Sequence, residues 1–144
     1  MATASLVRRI HDVNVIIWDE ASMSSSRILE LVNTLHQNIA GDGILYPLGG
    51  KHLVLVGEFL QLRPVPSRFD DGAFMFNSFV FNAAVSHRIQ LTRLMRQSPD
   101  EVEFAIALQQ IRLEECMPET AKYFASLSRE LDPDLDDNAT HIFF

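Results

Sequence analysis

The chain has 144 residues, of which 47% are hydrophobic and 22% are charged, so it has the size and balance of about one folded domain. It contains no run of about 18 apolar residues, which argues against a transmembrane helix, and its one cysteine excludes a disulfide within the chain and fits a reducing compartment. A net charge of −7 argues against a free-standing module that holds nucleic acid by a broad basic face.

The first predicted element is a strand over residues 13–18, where the run VNVIIW is nearly continuous in apolar residues, as in a parallel strand covered on both faces. It ends in two adjacent acids, Asp19 and Glu20. The next segment, SMSSSRILELVNTLHQNIAG, has apolar residues at helical spacing, with Ser24–Ser26 as candidate N-caps and Gly41 as the stop. The pattern predicts a strand followed by a helix.

A second apolar strand is predicted over residues 52–56, after a glycine-rich loop at 41–50. Strand, helix and strand in this order are typical of a parallel α/β sheet. Two prolines predict that residues 59–72 form a loop. A short helix is predicted within 76–87, and a short strand over RIQLT at 88–92.

The C-terminal third carries the clearest local helix signal. Ser98 and Glu101 are spaced as a capping box, with Pro99 at the first helical position. A second helix is predicted to begin with Pro118, and ATHIFF at 139–144 is predicted to start a strand.

The acid pair and three later residues have the chemistry of a nucleotide site. Ligands of an open parallel sheet bind beyond the carboxyl ends of its strands, where Asp19 and Glu20 fall. In nucleotide hydrolases, such acids hold Mg²⁺ and polarise the attacking water. Gln61, in the loop after the second strand, can donate to a phosphate oxygen and accept from water, and the arginines of LTRLMRQS, Arg93 and Arg96, match phosphate geometry.

Each of these residues also has an ordinary structural explanation. Asp19 and Glu20 could be turn residues or helix N-caps, Gln61 an exposed loop amide, and Arg96 a salt-bridged surface residue. The residues by themselves leave these alternatives open.

The order and the residues of four segments closely resemble those of the PIF-type DNA helicases, the RecD-like branch of superfamily one. These segments are IIWDEASM, GGKHLVLVGEFLQLRPV, LTRLMRQSPDEVEFAIALQQIR and ATHIFF. They look like the family's Walker B motif, its third and fourth helicase motifs, and a following strand. The resemblance implies an α/β fold, a RecA-like P-loop NTPase core with a parallel sheet and flanking helices, truncated at both ends. It also implies that residues 1–97 are the central part of RecA-like domain 1A, and that 98–144 are a helical segment and first strand leading to the second motor domain.

The same resemblance implies a role for each candidate residue. Asp19 and Glu20 would bind Mg²⁺, with Glu20 as the catalytic carboxylate. Gln61 would sense the γ-phosphate of ATP, and Arg96 would contact it from the far side of the cleft. All four would then line the ATP site.

At the level of the protein, the resemblance implies Mg-ATP hydrolysis coupled to 5′-to-3′ translocation on single-stranded DNA, in repair, recombination and telomere maintenance. The expected partners are single-stranded and forked DNA, without a membrane, for a monomeric protein. The expected compartment is the nucleus or mitochondrion of a eukaryote, or otherwise the cytoplasm.

The chain departs from the family pattern at three places. Glu58 stands where the family usually has Asp, and Trp18 replaces a more usual aliphatic residue. No G-x-x-x-x-G-K-[ST] loop is present, because Lys51 of GGKH is followed by His52 and lacks a glycine at the required spacing. We therefore expect the isolated chain to have no ATPase activity.

Two alternatives to a helicase fragment follow from these departures. One is a non-enzymatic interaction module that retains a helicase scaffold, and the other is a remnant of a different P-loop ATPase. Stop codons on both sides of this reading frame would favour the module.

Overall fold

The computed structural model describes residues 4–41, 46–93, 95, 97–98 and 100–128. The chain divides between Thr92 and Arg93 into two compact units. The α-helices and β-strands of the described residues are, in chain order, α1 (Ala4–Asp12), β1 (Val15–Trp18), α2 (Ser26–Ala40), β2 (His52–Leu55), α3 (Phe79–Ala84), α4 (Val102–Arg112) and α5 (Pro118–Ser126), and short 3-10 helices lie at Ala21–Met23, Pro47–Gly50 and Met75–Asn77.

In the first unit, β1 and β2 pair in parallel, with Val15 opposite His52 and Trp18 opposite Leu55. Helix α2 connects the two strands, so the predicted strand–helix–strand arrangement is confirmed. Strand β1 begins two residues later than predicted, and β2 ends one residue earlier.

Within the described residues, the sheet is covered on one face only. Ile16 and Trp18 of β1 point towards the core and are half-buried, whereas Ile17 is 72% exposed and Val15 is 49% exposed. Val54 of β2 is 46% exposed on the same outer face. The prediction that β1 is covered on both faces therefore does not hold for the part of the chain that the structure describes.

Helix α2 begins and ends as its sequence predicts. The Ser25 hydroxyl accepts a hydrogen bond from the Ile28 N–H at 3.2 Å, and Gly41 follows the helix with φ of 65°. A Ser N-cap and a glycine after the last turn satisfy backbone groups that the helix leaves unpaired. The core beneath the helix consists of Ala21, Leu29, Met75, Val80 and Phe81, with Trp18, Leu55, Phe59 and Val85 packed against it.

Two parts of the first unit differ from the prediction. Helix α1 was not among the predicted elements; it is nine residues long, and none of its residues is buried. The strand predicted over 88–92 is wrong: this segment has no regular structure, and Ile89 and Leu91 are each 89% exposed. An apolar pattern over five residues forms a strand only where a neighbouring strand pairs with it.

In the second unit, α5 begins at Pro118 as predicted, and α4 begins at Val102; Pro99, the predicted first helical position, lies outside the described residues. The Glu101 carboxylate accepts from the Ser98 N–H at 3.0 Å, which is one half of a capping box. The Glu101 N–H, however, donates to the Ser98 carbonyl at 3.0 Å and closes a turn ahead of the helix. The strand predicted over ATHIFF lies outside the described residues.

Candidate functional site

The carboxyl ends of β1 and β2 are joined by backbone hydrogen bonds that continue past the strands. The Val56 N–H donates to the Trp18 carbonyl at 2.9 Å, and the Ala21 N–H donates to the Val56 carbonyl at 2.9 Å. The turn that carries Asp19 and Glu20 therefore lies directly beside the chain as it leaves β2.

A glycine is required where these two segments meet. A Cβ atom on Gly57 would lie 2.9 Å from the Ala21 backbone nitrogen and 3.2 Å from that of Ser22. Contacts this short with backbone atoms cannot be relieved by a side-chain rotation, so Gly57 is the residue that allows the close approach.

Glu20 has an unusual backbone conformation, with φ of 51° and ψ of 44°. Residues other than glycine adopt this left-handed region only when their surroundings hold them there. The Glu20 N–H donates to Asp19 Oδ1 at 2.9 Å, and the Glu20 carbonyl accepts from the Met23 N–H at 3.0 Å. The two acids are exposed, and their turn is fixed by its own hydrogen bonds.

Gln61 lies in the first turn after β2, at the same edge of the sheet as the acid pair. Its N–H donates to the Glu58 carbonyl at 3.0 Å, and Glu58 Oε1 accepts from the Leu60 N–H at 3.2 Å. The Glu58 carboxylate thus helps to shape the loop that presents Gln61, so the longer side chain at this position still orients the loop.

The structure brings three of the four predicted site residues to one edge of the sheet. Asp19 and Glu20 follow β1, and Gln61 follows the adjacent parallel strand β2. Arg96 lies outside the described residues. The catalytic and binding roles of all four remain predictions.

Lys51 has a structural contact at the opposite edge. Its ammonium group donates to the carbonyls of His11 at 3.1 Å and Val13 at 2.6 Å, so it caps the C-terminal end of α1. It precedes β2, and four residues at roughly 3.3 Å per residue separate it from the edge that carries Asp19. The GGK sequence therefore does not lie where a phosphate-binding lysine would be needed.

The donor set at the acid pair fits Mg²⁺ bound together with a nucleotide. Mg²⁺ prefers oxygen ligands, keeps several waters and takes one or two carboxylates plus substrate phosphates. Across the described ranges, no group of three or more His, Cys, Asp or Glu side chains could hold a metal ion. Asp19 and Glu20 supply the carboxylates that such a shared site needs, and the remaining ligands would come from phosphate and water.

A contact that the sequence did not predict anchors the loop after β2. The Ser25 hydroxyl donates to Asp70 Oδ2 at 2.5 Å, and the Gly72 N–H donates to Asp70 Oδ1 at 3.0 Å. These hydrogen bonds, that of Ser25 first, lower the pKa of Asp70. Because Ser25 is also the N-cap of α2, the loop is fixed to the start of the helix.

Solved structures of Pif1 helicases share this fold. The crystal structure of Pif1 from Candida albicans matches with a TM-score of 0.77 and 29% identity, over 89% of this chain and 28% of that chain. The crystal structure of Bacteroides Pif1 in complex with ADP-AlF3 and ssDNA matches with a TM-score of 0.78 and 26% identity, over 94% of this chain and 33% of that chain. The RecA-like α/β class predicted from the sequence is thereby confirmed.

Sequence comparison identifies the family. Residues 2–121 match the family described as PIF1-like helicase, and the chain belongs to that family. The ATP-dependent DNA helicase PIF1 of Emericella nidulans is 35% identical over 119 residues, which are 82% of this chain and 15% of that protein. The protein of the same name from Saccharomyces cerevisiae is 32% identical over 131 residues, which are 89% of this chain and 15% of that protein.

The family match confirms the predicted resemblance and removes the alternative of a remnant of a different P-loop ATPase. The chain spans about 15% of the length of these two curated relatives. No helix among the described residues is long and apolar enough to cross a membrane.

Proposed function

We propose that this chain forms part of the ATP site of an ATP-dependent DNA helicase. The observation that carries the proposal is the backbone connection between the two strand ends, from Val56 to Trp18 and from Ala21 to Val56. It brings the Asp19–Glu20 turn next to the segment leading to Gln61, at the edge where parallel sheets bind ligands.

In this proposal, Asp19 would hold Mg²⁺, and Glu20 would accept a proton from the water that attacks the γ-phosphate. Bound Mg²⁺ supplies the positive charge that neutralises the phosphates. The Gln61 amide donates to a γ-phosphate oxygen and accepts from the attacking water, and Arg96 contacts the same phosphate from the far side of the cleft.

The wider activity is ATP hydrolysis coupled to 5′-to-3′ movement on single-stranded DNA, with duplex unwinding in repair, recombination and telomere maintenance. The helicase part of this proposal is supported by relatives that are named ATP-dependent DNA helicases, by a solved structure of Bacteroides Pif1 bound to ssDNA and by a structural study of DNA unwinding at forked dsDNA by Pif1 helicases. We further propose a monomeric protein, in the nucleus or mitochondrion of a eukaryote, or otherwise in the cytoplasm.

The test is the ATPase activity of a PIF1-like helicase that contains this segment together with a glycine-rich phosphate loop. Glu20→Gln should lower kcat in the presence of single-stranded DNA by about 100-fold or more, because the general base is lost. Glu30→Gln, which removes a carboxylate from α2 in the same unit, is the matched control and should leave kcat unchanged. Equal rates for the parent and Glu20→Gln would refute the assigned role.

The isolated 144-residue chain provides a second test. It should show no ATP turnover, with or without single-stranded DNA, because it has no loop to hold the phosphates. Turnover that Glu20→Gln abolishes would show that the chain binds Mg-ATP without such a loop.

A second candidate function is a non-enzymatic interaction module on a helicase scaffold. It rests on the lack of a G-x-x-x-x-G-K-[ST] loop among these 144 residues. The neighbouring genomic sequence, read in frame, distinguishes the two candidates. A glycine-rich Lys-Thr loop upstream and further motor motifs downstream support the helicase, whereas stop codons on both sides support the module.

A further inference from the structure

The side chain of Trp18 spans the turn that carries the acid pair. Trp18 is the last residue of β1, and its indole N–H donates to the Ser24 hydroxyl oxygen at 3.0 Å. The residues between these two partners include Asp19 and Glu20. The hydrogen bond therefore closes the turn from the end of the strand to the start of α2.

Both ends of this bridge are themselves fixed. The Trp18 carbonyl accepts from the Val56 N–H at 2.9 Å, and its half-buried ring packs against the core. On the other side, the Ser24 N–H donates to the Ala21 carbonyl at 3.2 Å, and the next residue, Ser25, is the N-cap of α2. The bridge thus ties two rigid elements together on either side of Glu20.

Glu20 needs such support because its left-handed backbone conformation is unfavourable for a residue with a Cβ atom. An aliphatic residue at position 18 could fill the same core space but would have no N–H to donate. The indole therefore adds a constraint on the turn that packing alone does not provide.

We infer that Trp18 is a positioning residue: its hydrogen bond to Ser24 holds the turn in the conformation that aims the Glu20 carboxylate. The structural half of this inference stands on the contacts above. The catalytic half rests on the proposed function, because it takes Glu20 as the general base.

The structural half is tested on the 144-residue chain by NMR, since its one tryptophan gives a single indole N–H signal. Ser24→Ala should speed hydrogen exchange of that indole by about 10-fold, as expected for a lost hydrogen bond of average strength. It should also shift the amide signal of Glu20. Ser24→Thr keeps a hydroxyl and should restore both signals.

Ser26→Ala is the matched control, because the Ser26 hydroxyl has no hydrogen-bond partner in the described part of the chain. It should leave both signals unchanged. Three results would overturn the inference: indole exchange in the parent as fast as in free tryptophan, equal acceleration in the two Ser→Ala variants, or a Glu20 amide signal that does not respond to Ser24→Ala.

The catalytic half is tested in a PIF1-like helicase that contains this segment. Trp18→Phe and Ser24→Ala should each lower kcat about 5- to 10-fold with little change in KM for ATP, since one hydrogen bond is lost in each. The double variant should be no slower than either single variant, because both changes remove the same bond. Additive losses, or a change confined to KM, would refute positioning through this bond.

The two halves fail in different ways. If Glu20→Gln leaves the ATPase rate unchanged, the proposed function fails, and the NMR signals still decide whether Trp18 holds the turn. If Glu20→Gln abolishes activity but Trp18→Phe does not lower kcat, the proposed function stands and the positioning role is refuted.

Discussion

Glu20 is one of three residues other than glycine, with Leu48 and Glu114, that have a positive φ in the described structure. Its φ of 51° costs about 1–2 kcal/mol for a residue with a Cβ atom, and its surroundings compensate that cost. A strained residue with an exposed carboxylate, next to the end of a parallel strand, is typical of a position that is kept for its chemistry.

Glu20→Gly should therefore stabilise the chain. Glycine adopts the left-handed region without the steric cost, but it loses more backbone freedom on folding, so the expected net gain is about 0.5–1 kcal/mol in the free energy of unfolding. Urea denaturation measures the change. Glu30→Gly, within α2, is the control and should destabilise by about 1 kcal/mol. Loss of stability in both variants would show that the glutamate side chain supports the turn.

The turn after β1 and the exit from β2 depend on each other through Gly57. Gly57→Ala places a Cβ atom 2.9 Å from the Ala21 nitrogen, so one of the two segments has to move. We expect a loss of about 1–3 kcal/mol in the free energy of unfolding, as for an overpacked site, together with a shift in the amide signals of Asp19 and Glu20. An unchanged denaturation midpoint would show that the turn can move away from the added Cβ atom without a loss of stability.

The loop after β2 and helix α2 are joined by the Ser25–Asp70 hydrogen bond, and this connection depends on pH. The pKa of Asp70 is lowered from its ordinary value of 3.8, because the charged form accepts from the Ser25 hydroxyl and the Gly72 N–H. A depressed carboxyl pKa contributes stability that is present above the unfolded value and is lost as pH falls through the folded value.

Asp70→Asn should consequently be less stable than the parent chain at pH 7, and the difference should shrink as the pH falls below about 4. Thermal unfolding of both proteins between pH 7 and strongly acidic pH measures this difference in stability. A difference that stays constant from neutral to strongly acidic pH would mean that the charge of Asp70 contributes nothing to the anchor.

The sequence predicted those elements whose signals are local. The apolar run before Asp19 was sufficient to predict β1, and the serine and glycine that flank α2 were sufficient to predict the helix. Burial on one face and capping both act over a few residues. Contacts between distant segments could not be predicted. Ser25 and Asp70 are 45 residues apart in the sequence, and neither residue type indicates the other as its partner.

The same reasoning explains the errors. RIQLT has the alternation of a strand, but a strand needs a partner, which the pattern cannot specify. The spacing of Ser98 and Glu101 is that of a capping box, yet the chain uses it for a turn before α4. For the candidate site, the sequence identified Asp19 and the residues near it, whereas the glycine and the indole that fix their geometry were recognised only from the structure.

At the scale of the molecule, the outer face of the sheet is an exposed apolar surface within the described residues. Val15, Ile17, Val54 and Val56 are each between 46% and 72% exposed. Contiguous aliphatic surface of this kind associates with other apolar surfaces in water. The net charge of −7 opposes this association but does not cover the face.

Ile17→Lys should raise the saturation concentration of the 144-residue chain several-fold without lowering its thermal unfolding midpoint, because the side chain at this position is 72% exposed. Ile16→Lys, whose side chain points towards the core, is the control and should unfold the first unit. Equal solubility of the parent and Ile17→Lys would show that the sheet face does not drive association.

The absence of a side chain at Gly57 also has a mechanical consequence. The backbone of Gly57 packs directly against that of Ala21, and the neighbouring Val56 carbonyl accepts from the Ala21 N–H. The segments that carry Glu20 and Gln61 therefore have no free space between them at this point. A ligand that displaced one segment would displace the other by a similar amount. A change in the ligand bound at the end of one strand would therefore move the end of the other strand through backbone contacts alone.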